Sequence, residues 1–389
     1  MHTTAPTAPD LREPQSIDVL ADWLEARGDP RGRALALARR LTLSAQAGEA
    51  PGALSDSLTS AQAEVERFVF DLEQALGGPE RLAARWYMGL LLDATLLANE
   101  AELGELAAQR ALAEALLTSE AAVALTALDL GELDPGAALP ALVAGPLRPA
   151  LRALTLGNYR ASLEGLAEAG ADLAARVPEL RQLSLRGPGC ALDSLLGPAA
   201  LPALTQLHVD CELDPLPLRA LASAPRPGLR RVELRLGGRR YFGLPRPEPA
   251  PRTLDALPTP RPKWAPWLAA LLVGDTLPDC EQLALRSTDL VDAILDSLAA
   301  GALLPRLRVL DLRDSVLDEP ALERLLGCLG ALAGLERLDL GGCLIDSSAR
   351  AQLSTAAAKL GVRVSLDPDS TRAQVRWDTA NRQFRLPRG

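Results

Sequence analysis

The chain has 389 residues, of which 48% are hydrophobic and only 3% aromatic, and its formal net charge is -9. That length allows a large core or an extended array, and so few aromatics oblige the interior to be built from Leu, Ala and Val. The acidic balance argues against a general nucleic-acid coat or an anionic membrane surface.

The opening residues, MHTTAPTAPDLREPQS, have neither a basic start nor an apolar signal region, and no apolar run reaches membrane-spanning length. A cytoplasmic location is expected. Five cysteines (Cys190, Cys211, Cys280, Cys328, Cys343) form no C-x-x-C pair and are odd in number. Free buried thiols in a reducing compartment are expected, not a disulfide frame or a zinc site.

Residues 1–15 are rich in Thr, Ala and Pro and read as disordered. Helical periodicity starts at Ser16, a candidate N-cap, with Ile17, Leu20, Trp23 and Leu24 on one face, and stops at Gly28, Asp29 and Pro30. A second helix carries Leu35, Leu37, Leu41 and Leu43. Residues 44–60 are Ala/Gly/Ser/Pro-rich and read as a loop. Residues 61–76 read as an amphipathic helix with Val65, Phe68, Val69, Leu72 and Leu76 on its apolar side, ended by Gly77, Gly78 and Pro79.

The run ADWLEARGDPRG, Ala21 to Gly32, is similar to a short repeat-companion domain that precedes leucine-rich repeats in some bacterial proteins. It departs from that pattern at Arg33, where an acidic residue is usual, and in lacking the aromatic expected in the following helix. The resemblance implies an association with repeats and no chemistry. It makes residues 16–84 a small helical domain. From their chemistry alone, Asp22, Trp23, Asp29 and Arg31 read as a helical hairpin held by a buried Trp and a capped turn.

Residues 85–120 are expected to cap an array, with an atypical strand over Trp86–Leu96 and a helix over 100–117. Repeating segments follow to residue 366. LRVLDLRDSVL from Leu307 recurs as LERLDLGGCLI from Leu335, and similar segments start at Leu125, Leu151, Leu180, Leu204, Leu229 and Cys280. A shortened last copy sits at Val362–Leu366. In each, the fourth and sixth positions point to one face of a strand and the third, fifth and seventh to the other. A small ninth residue, Ser315 or Cys343, bonds the bent backbone from inside, and a helical stripe such as Leu322, Leu325, Leu326 and Leu329 follows. One strand and one helix cannot bury so much leucine; stacked copies can.

This pattern resembles the leucine-rich repeat family, in its ribonuclease-inhibitor-like form of strand plus full helix. The expected fold class is therefore α/β: a leucine-rich repeat solenoid, a curved parallel sheet with outer helices, preceded by the helical N-terminal domain.

Between Leu229 and Cys280 the spacing nearly doubles. The extra residues, about 237–263, are Pro-rich and locally basic (Arg239, Arg240, Arg246, Arg252, Arg261, Lys263), and they read as an insertion or a decayed repeat. Much of the scarce aromatic content lies in or beside it: Tyr241, Phe242, Trp264 and Trp267. A helix is expected from Trp264 to Val273, and the tail from 367 is expected to end in a hairpin closing the sheet edge.

No phosphate loop, metalloprotease helix, nucleophile elbow or calcium loop is present, and no cofactor or metal is expected. His208, placed near Asp210, is the one histidine outside the terminus and has no evident nucleophile. What remains is the outward strand face. Its fifth column reads Asp129, Thr155, Ser184, His208, Glu233, Ala284, Asp311, Asp339; its seventh reads Gly131, Gly157, Arg186, Asp210, Arg235, Arg286, Arg313, Gly341. These stripes either neutralise one another or form a docking surface for another protein.

The expected function is a non-catalytic protein-binding scaffold or adaptor. Its candidate contacts are Arg186, His208, Asp210, Glu233, Arg235, Tyr241, Phe242, Trp264, Trp267, Arg286, Asp311, Arg313, Arg337 and Asp339. In that reading Trp264→Ala or Arg286→Glu weakens capture of a partner and leaves melting unchanged. The alternatives are nucleic-acid binding through the basic aromatic insertion and an enzyme site in the N-terminal helices.

Overall fold

The computed structural model describes residues 14–366 apart from 51, 99–103, 158–162, 164, 188–194, 196–200, 211–214, 237–264, 289, 316, 318, 344 and 346, together with 377–378 and 383–384. The chain divides into two compact units, residues 1–186 with 199–203 and residues 187–198 with 204–389.

The first unit opens with three helices, α1 (Pro14–Glu25), α2 (Pro30–Gln46) and α3 (Gly52–Ala75). A hairpin follows, β1 (Leu82–Tyr87) and β2 (Leu90–Leu96). Its two-residue turn puts Met88 and Gly89 at positive φ, the geometry that suits the twist of a tight hairpin. Then come α4 (Leu106–Thr118), β3 (Ala127–Leu130), α5 (Pro135–Ala144), β4 (Ala153–Leu156), α6 (Leu166–Arg176) and β5 (Gln182–Arg186). β1 runs antiparallel to β2; β2, β3, β4 and β5 pair in parallel, in chain order.

The second unit alternates β6 (Gln206–Asp210), α7 (Pro215–Ala222), β7 (Arg231–Arg235), α8 (Ala265–Val273), β8 (Gln282–Arg286), α9 (Val291–Ala300), β9 (Val309–Asp311), α10 (Glu319–Cys328), β10 (Arg337–Asp339), α11 (Ser347–Leu360) and β11 (Val364–Ser365). All six strands are parallel neighbours in sequence order. Parallel strands joined in order by crossovers of one hand place every helix on the same side of the sheet.

The leucine ladder explains this order. Leu207, Val232, Leu283, Leu310 and Leu338 stand in register on successive strands of the second unit, and each is at most 1% exposed. Leu128, Leu154 and Leu183 stand in register in the first, each at most 2% exposed. Burying one such side chain contributes about 1.5–3 kcal/mol, so a repeat out of register would lose several at once.

The turn after each strand also repeats. Ser287, Asp314 and Gly342, each the eighth residue of its copy, are all left-handed, at φ 54, 59 and 73. The ninth residue then bonds inward: Thr288 N–H donates to Ser315 Oγ at 3.2 Å, and Cys343 Sγ donates to the Leu312 carbonyl at 3.1 Å.

Several expectations change. Helix α1 starts at Pro14, not at a Ser16 cap; proline suits a first turn because its missing N–H has no helical partner there. Residues 44–60 are mostly helix, since α2 runs to Gln46 and α3 begins at Gly52. Leu54, Leu58, Ala61 and Val65 supply a helical stripe there, and Ser57 and Thr59 satisfy their hydroxyls on carbonyls one turn back. The cap strand is a full hairpin that begins at Leu82. The tail hairpin, β12 (Trp377–Asp378) with β13 (Gln383–Phe384), forms a sheet of its own and does not extend the edge at β11.

In the helical hairpin the buried group is an arginine. Arg31 is 0% exposed, while Trp23 is only partly buried. Asp29 caps α2 by accepting from the Arg31 N–H at 2.9 Å, and it also grips the guanidinium, whose Nε lies 2.8 Å from Oδ1. Burial pushes the Asp29 carboxyl up, but the Arg31 hydrogen bonds and the charges of Arg31 and Arg27 outweigh it and hold it below its ordinary range. Arg27 lies over the Trp23 ring at 4.8 Å and pairs with Glu120 at 3.0 Å.

Next to Arg31, Gly32 lets α2 press on α1: a Cβ there would meet the Glu25 backbone nitrogen at 2.5 Å and the Ala21 carbonyl at 2.7 Å. Gly32→Ala is expected to destabilise the first unit by about 1–3 kcal/mol, because backbone atoms cannot step aside as a side chain does. Urea unfolding followed by circular dichroism measures this; an unchanged midpoint would sink the account.

Candidate binding face

In a parallel sheet the nearest same-face neighbour of a side chain sits on the next strand, about 4.8 Å away, closer than the residue two along its own strand. Register therefore decides which charges meet. The fifth column of the second unit is in step: His208 with Glu233, Glu233 with Ala284, Ala284 with Asp311, Asp311 with Asp339.

His208 consequently meets Glu233, not Asp210. Its Nδ1 is 3.1 Å from Glu233 Oε1. Asp210 is reached instead by Arg235 Nη1 at 3.4 Å, and Arg235 Nε also donates to Ser287 Oγ at 3.2 Å.

Ala284 is the key to the rest. Its methyl leaves space between Glu233 and Asp311, two strands apart, and the Arg286 guanidinium lies across that space. Nη1 stands 2.5 Å from Glu233 Oε1, while Nε and Nη2 donate to Asp311 Oδ2 at 2.9 and 2.7 Å. Ala284, on the outward side of its strand, is only 7% exposed beneath it.

Arg313 folds back over its own strand. Its Nε donates to both Asp311 oxygens at 3.0 Å, and it approaches Asp339 Oδ2 at 3.7 Å, which eases the contact between two carboxylates in register. The backbone N–H groups of Arg313 and Gly341 complete the shells of Asp311 and Asp339 at 3.0 and 3.1 Å.

The outcome is a paired network with its carboxylates sunk beneath arginines. Asp210, Glu233, Asp311 and Asp339 are 4–7% exposed. Burial pushes Glu233 up, but the His208 hydrogen bond and the charges of His208, Arg286 and Arg231 win and hold it at about 2. Burial also raises Asp311, and Arg313 and Arg286 bring it below its usual range. Burial lowers Arg313, and Asp311 more than restores it. A carboxylate held at about 2 stays ionised near neutrality, so Glu233 does not itself take up a proton there.

The sequence-derived candidates thus separate. His208, Asp210, Glu233, Arg235, Arg286, Asp311, Arg313 and Asp339 share one face of the second unit, and most of them serve one another. Arg337 is on the same face and exposed. Arg186 is half-buried at the end of β5 in the first unit. Trp267 is 38% exposed in the first turn of α8, which packs between α7 and α9. It therefore belongs to the helical layer and not to the strand face, because Leu268, Leu271 and Leu272 take the inward positions of that helix. Tyr241, Phe242, Trp264 and the basic insertion lie outside the described residues.

Exposed third-column positions escaped the sequence-derived candidates. Gln206, Arg231 and Gln282 stand side by side on the outward face. Their period-two placement was the available signal.

Among the described residues, no group of three or more His, Cys, Asp or Glu side chains is placed to hold a metal, and no helix is long and apolar enough to cross a membrane. No protein-family model matches the chain, and no curated protein matches it. One similar solved structure is the crystal structure of a protein from Bacteroides fragilis determined by the Northeast Structural Genomics Consortium. It is 13% identical, with a TM-score of 0.47, over 70% of this chain and 74% of that one.

Two consequences can be measured. The ordinary value for Glu233 is 4.5, and in the folded unit it is about 2. Between these values the unfolded chain binds more protons, so the stability contributed is full above the higher value and disappears as pH falls through the lower. Glu233→Gln should flatten the dependence of the urea midpoint on pH in that acid range; a slope equal to that of the unsubstituted protein would contradict it. The expectation that Arg286→Glu leaves melting unchanged does not hold, because Arg286 bridges Glu233 and Asp311 and the variant places a third carboxylate between two buried ones. We expect a loss on the order of 3–5 kcal/mol, so a melting temperature within error of the parent would refute the bridge.

Proposed function

We propose that the chain is a leucine-rich-repeat protein of the strand-plus-helix type, acting as a cytoplasmic, non-catalytic scaffold that binds another protein on the outward face of β6–β11. In this reading residues 16–84 are a companion domain, 85–120 a cap and 121–366 the repeats.

The observation that carries the proposal is the state of that face. Its charged side chains are already ordered by pairing, and Gln206, Arg231, Gln282 and Arg337 stand exposed above them. A platform whose side chains are already ordered loses less conformational freedom when a partner lands. In this reading the His208–Glu233 and Glu233–Arg286 pairs serve to order the face and not to do chemistry.

A reducing compartment fits the thiols. Cys280 and Cys343 are free and buried, and burial pushes both up to about 12, where they are inert.

The test is site-specific photo-crosslinking in native lysate. A benzophenone side chain at Gln206 or Gln282 should give a discrete protein adduct, and one at Glu323, exposed on α10, should not. Identical adduct patterns from all three positions, or none from the face, would remove the proposal.

A further inference from the structure

The exposed rim of the strand face in the second unit has a charge sign opposite to that of the chain. Its third column reads Gln206, Arg231, Gln282, Val309 and Arg337, each in register with the next. Arg363, the residue before Val364, extends the row, because Val364 is in register with Leu338. No acidic residue interrupts it. Gln206, Arg231, Gln282, Arg337 and Arg363 are exposed, and Val309 is half-buried.

Glu336, the residue before Arg337, is exposed but pairs with Arg308 at 3.4 Å; the carboxylates of the strand face itself sit lower. Asp210, Glu233, Asp311 and Asp339 are 4–7% exposed and are held by arginines of the fifth-to-seventh network or by His208. Asp314, in the turn after β9, lies 3.9 Å from Arg235. Arg231 leans on Glu233 at 3.5 Å with about half of its side chain still exposed (49%), and Arg337 and Arg363 have no carboxylate within ion-pair distance among the described residues. A visitor therefore meets guanidinium groups first, on a chain of net charge -9.

We infer that this row is the docking surface for an acidic peptide segment of a partner protein, lying extended across β6–β11. The inference rests on the protein-binding reading and adds the chemistry of the partner. Spacing favours it. With strands about 4.8 Å apart, Arg231 and Arg337 are roughly 14 Å apart and Arg337 and Arg363 roughly 5 Å. Same-side residues of an extended peptide recur every ~6.7 Å, so carboxylates four and then two residues apart face the three arginines, with neutral residues over Gln282 and Val309. Guanidinium groups are well suited to carboxylates because the planar fork donates two parallel hydrogen bonds.

A nucleic-acid strand fits less well. It carries a charge on every nucleotide, and the described row has neutral gaps, buried carboxylates directly beneath, and no aromatic side chain for stacking.

The experiment uses the full chain and a fluorescein-labelled Gly/Ser peptide with glutamates spaced four and then two apart, followed by anisotropy at low and at physiological salt. The glutamate peptide should bind at least about tenfold tighter than its glutamine and lysine counterparts and than an oligo-thymidylate of similar length. Arg337→Ala with Arg363→Ala should weaken it about tenfold while leaving the thermal midpoint unchanged, since neither side chain has a charged partner among the described residues. Equal binding of the glutamine peptide, a preference for the lysine peptide or for oligo-thymidylate, or an undiminished affinity of the double variant would each overturn the inference. If any of these occurs while Gln206 and Gln282 still yield a protein adduct, only the acidic partner is wrong; if the adduct is missing too, the binding reading falls with it.

Discussion

Carboxylates that lose water must find cations, and the spacing of parallel strands determines which ones they find. That constraint organises the outward face of the second unit. Leucines claim one side of every strand, so all polar residues are driven to the other, where rows lie about 4.8 Å apart. At that distance an unpaired Asp or Glu would be both desolvated and crowded by its neighbours. Arg286, spanning Glu233 and Asp311 over the methyl of Ala284, resolves both problems with one side chain. The small residue matters as much as the charged one. A larger side chain at Ala284 would fill the space where the guanidinium now lies.

The same logic operates on a smaller scale in the first unit. Arg31 is fully buried where two helices meet, a position normally given to leucine, and it is tolerated because Asp29 neutralises it from the helix cap two residues away. Glycine follows directly, since the helices cross too closely for a Cβ at Gly32. Cap, ion pair and close crossing are thus consecutive letters of one short run, which gives the ADWLEARGDPRG pattern a structural explanation that needs no ligand.

Much of this fold was legible because leucine spacing is redundant. Each strand in the array falls two residues inside the segment that begins with its first leucine, from Leu125 to Leu335, and the fifth column pairs as its alternation implies. The helix over 52–60 was less legible: its stripe of Leu54, Leu58 and Ala61 is diluted by Gly, Ser and Thr, residues that usually mark turns. The partner of His208 was misread because sequence proximity favoured Asp210, whereas strand pairing favoured Glu233. Burial was also invisible. Alternation implies that the fifth position is open to solvent, yet Glu233, Ala284 and Asp311 are covered by arginines that reach over from the seventh. The acidic stripe is therefore internal wiring, and the side chains of that face that remain exposed are the glutamines and arginines of the third column.

The last strand carries a different lesson. β11 comprises only Val364 and Ser365, and the hairpin beyond it pairs with itself. A stub of that length presents few unpaired amides and carbonyls, too few to template a foreign strand, and exposed Arg363 adds a charge at its threshold. Brevity at the terminus thus protects against fibril-like growth, a hazard inherent in any architecture that lengthens by adding one more strand.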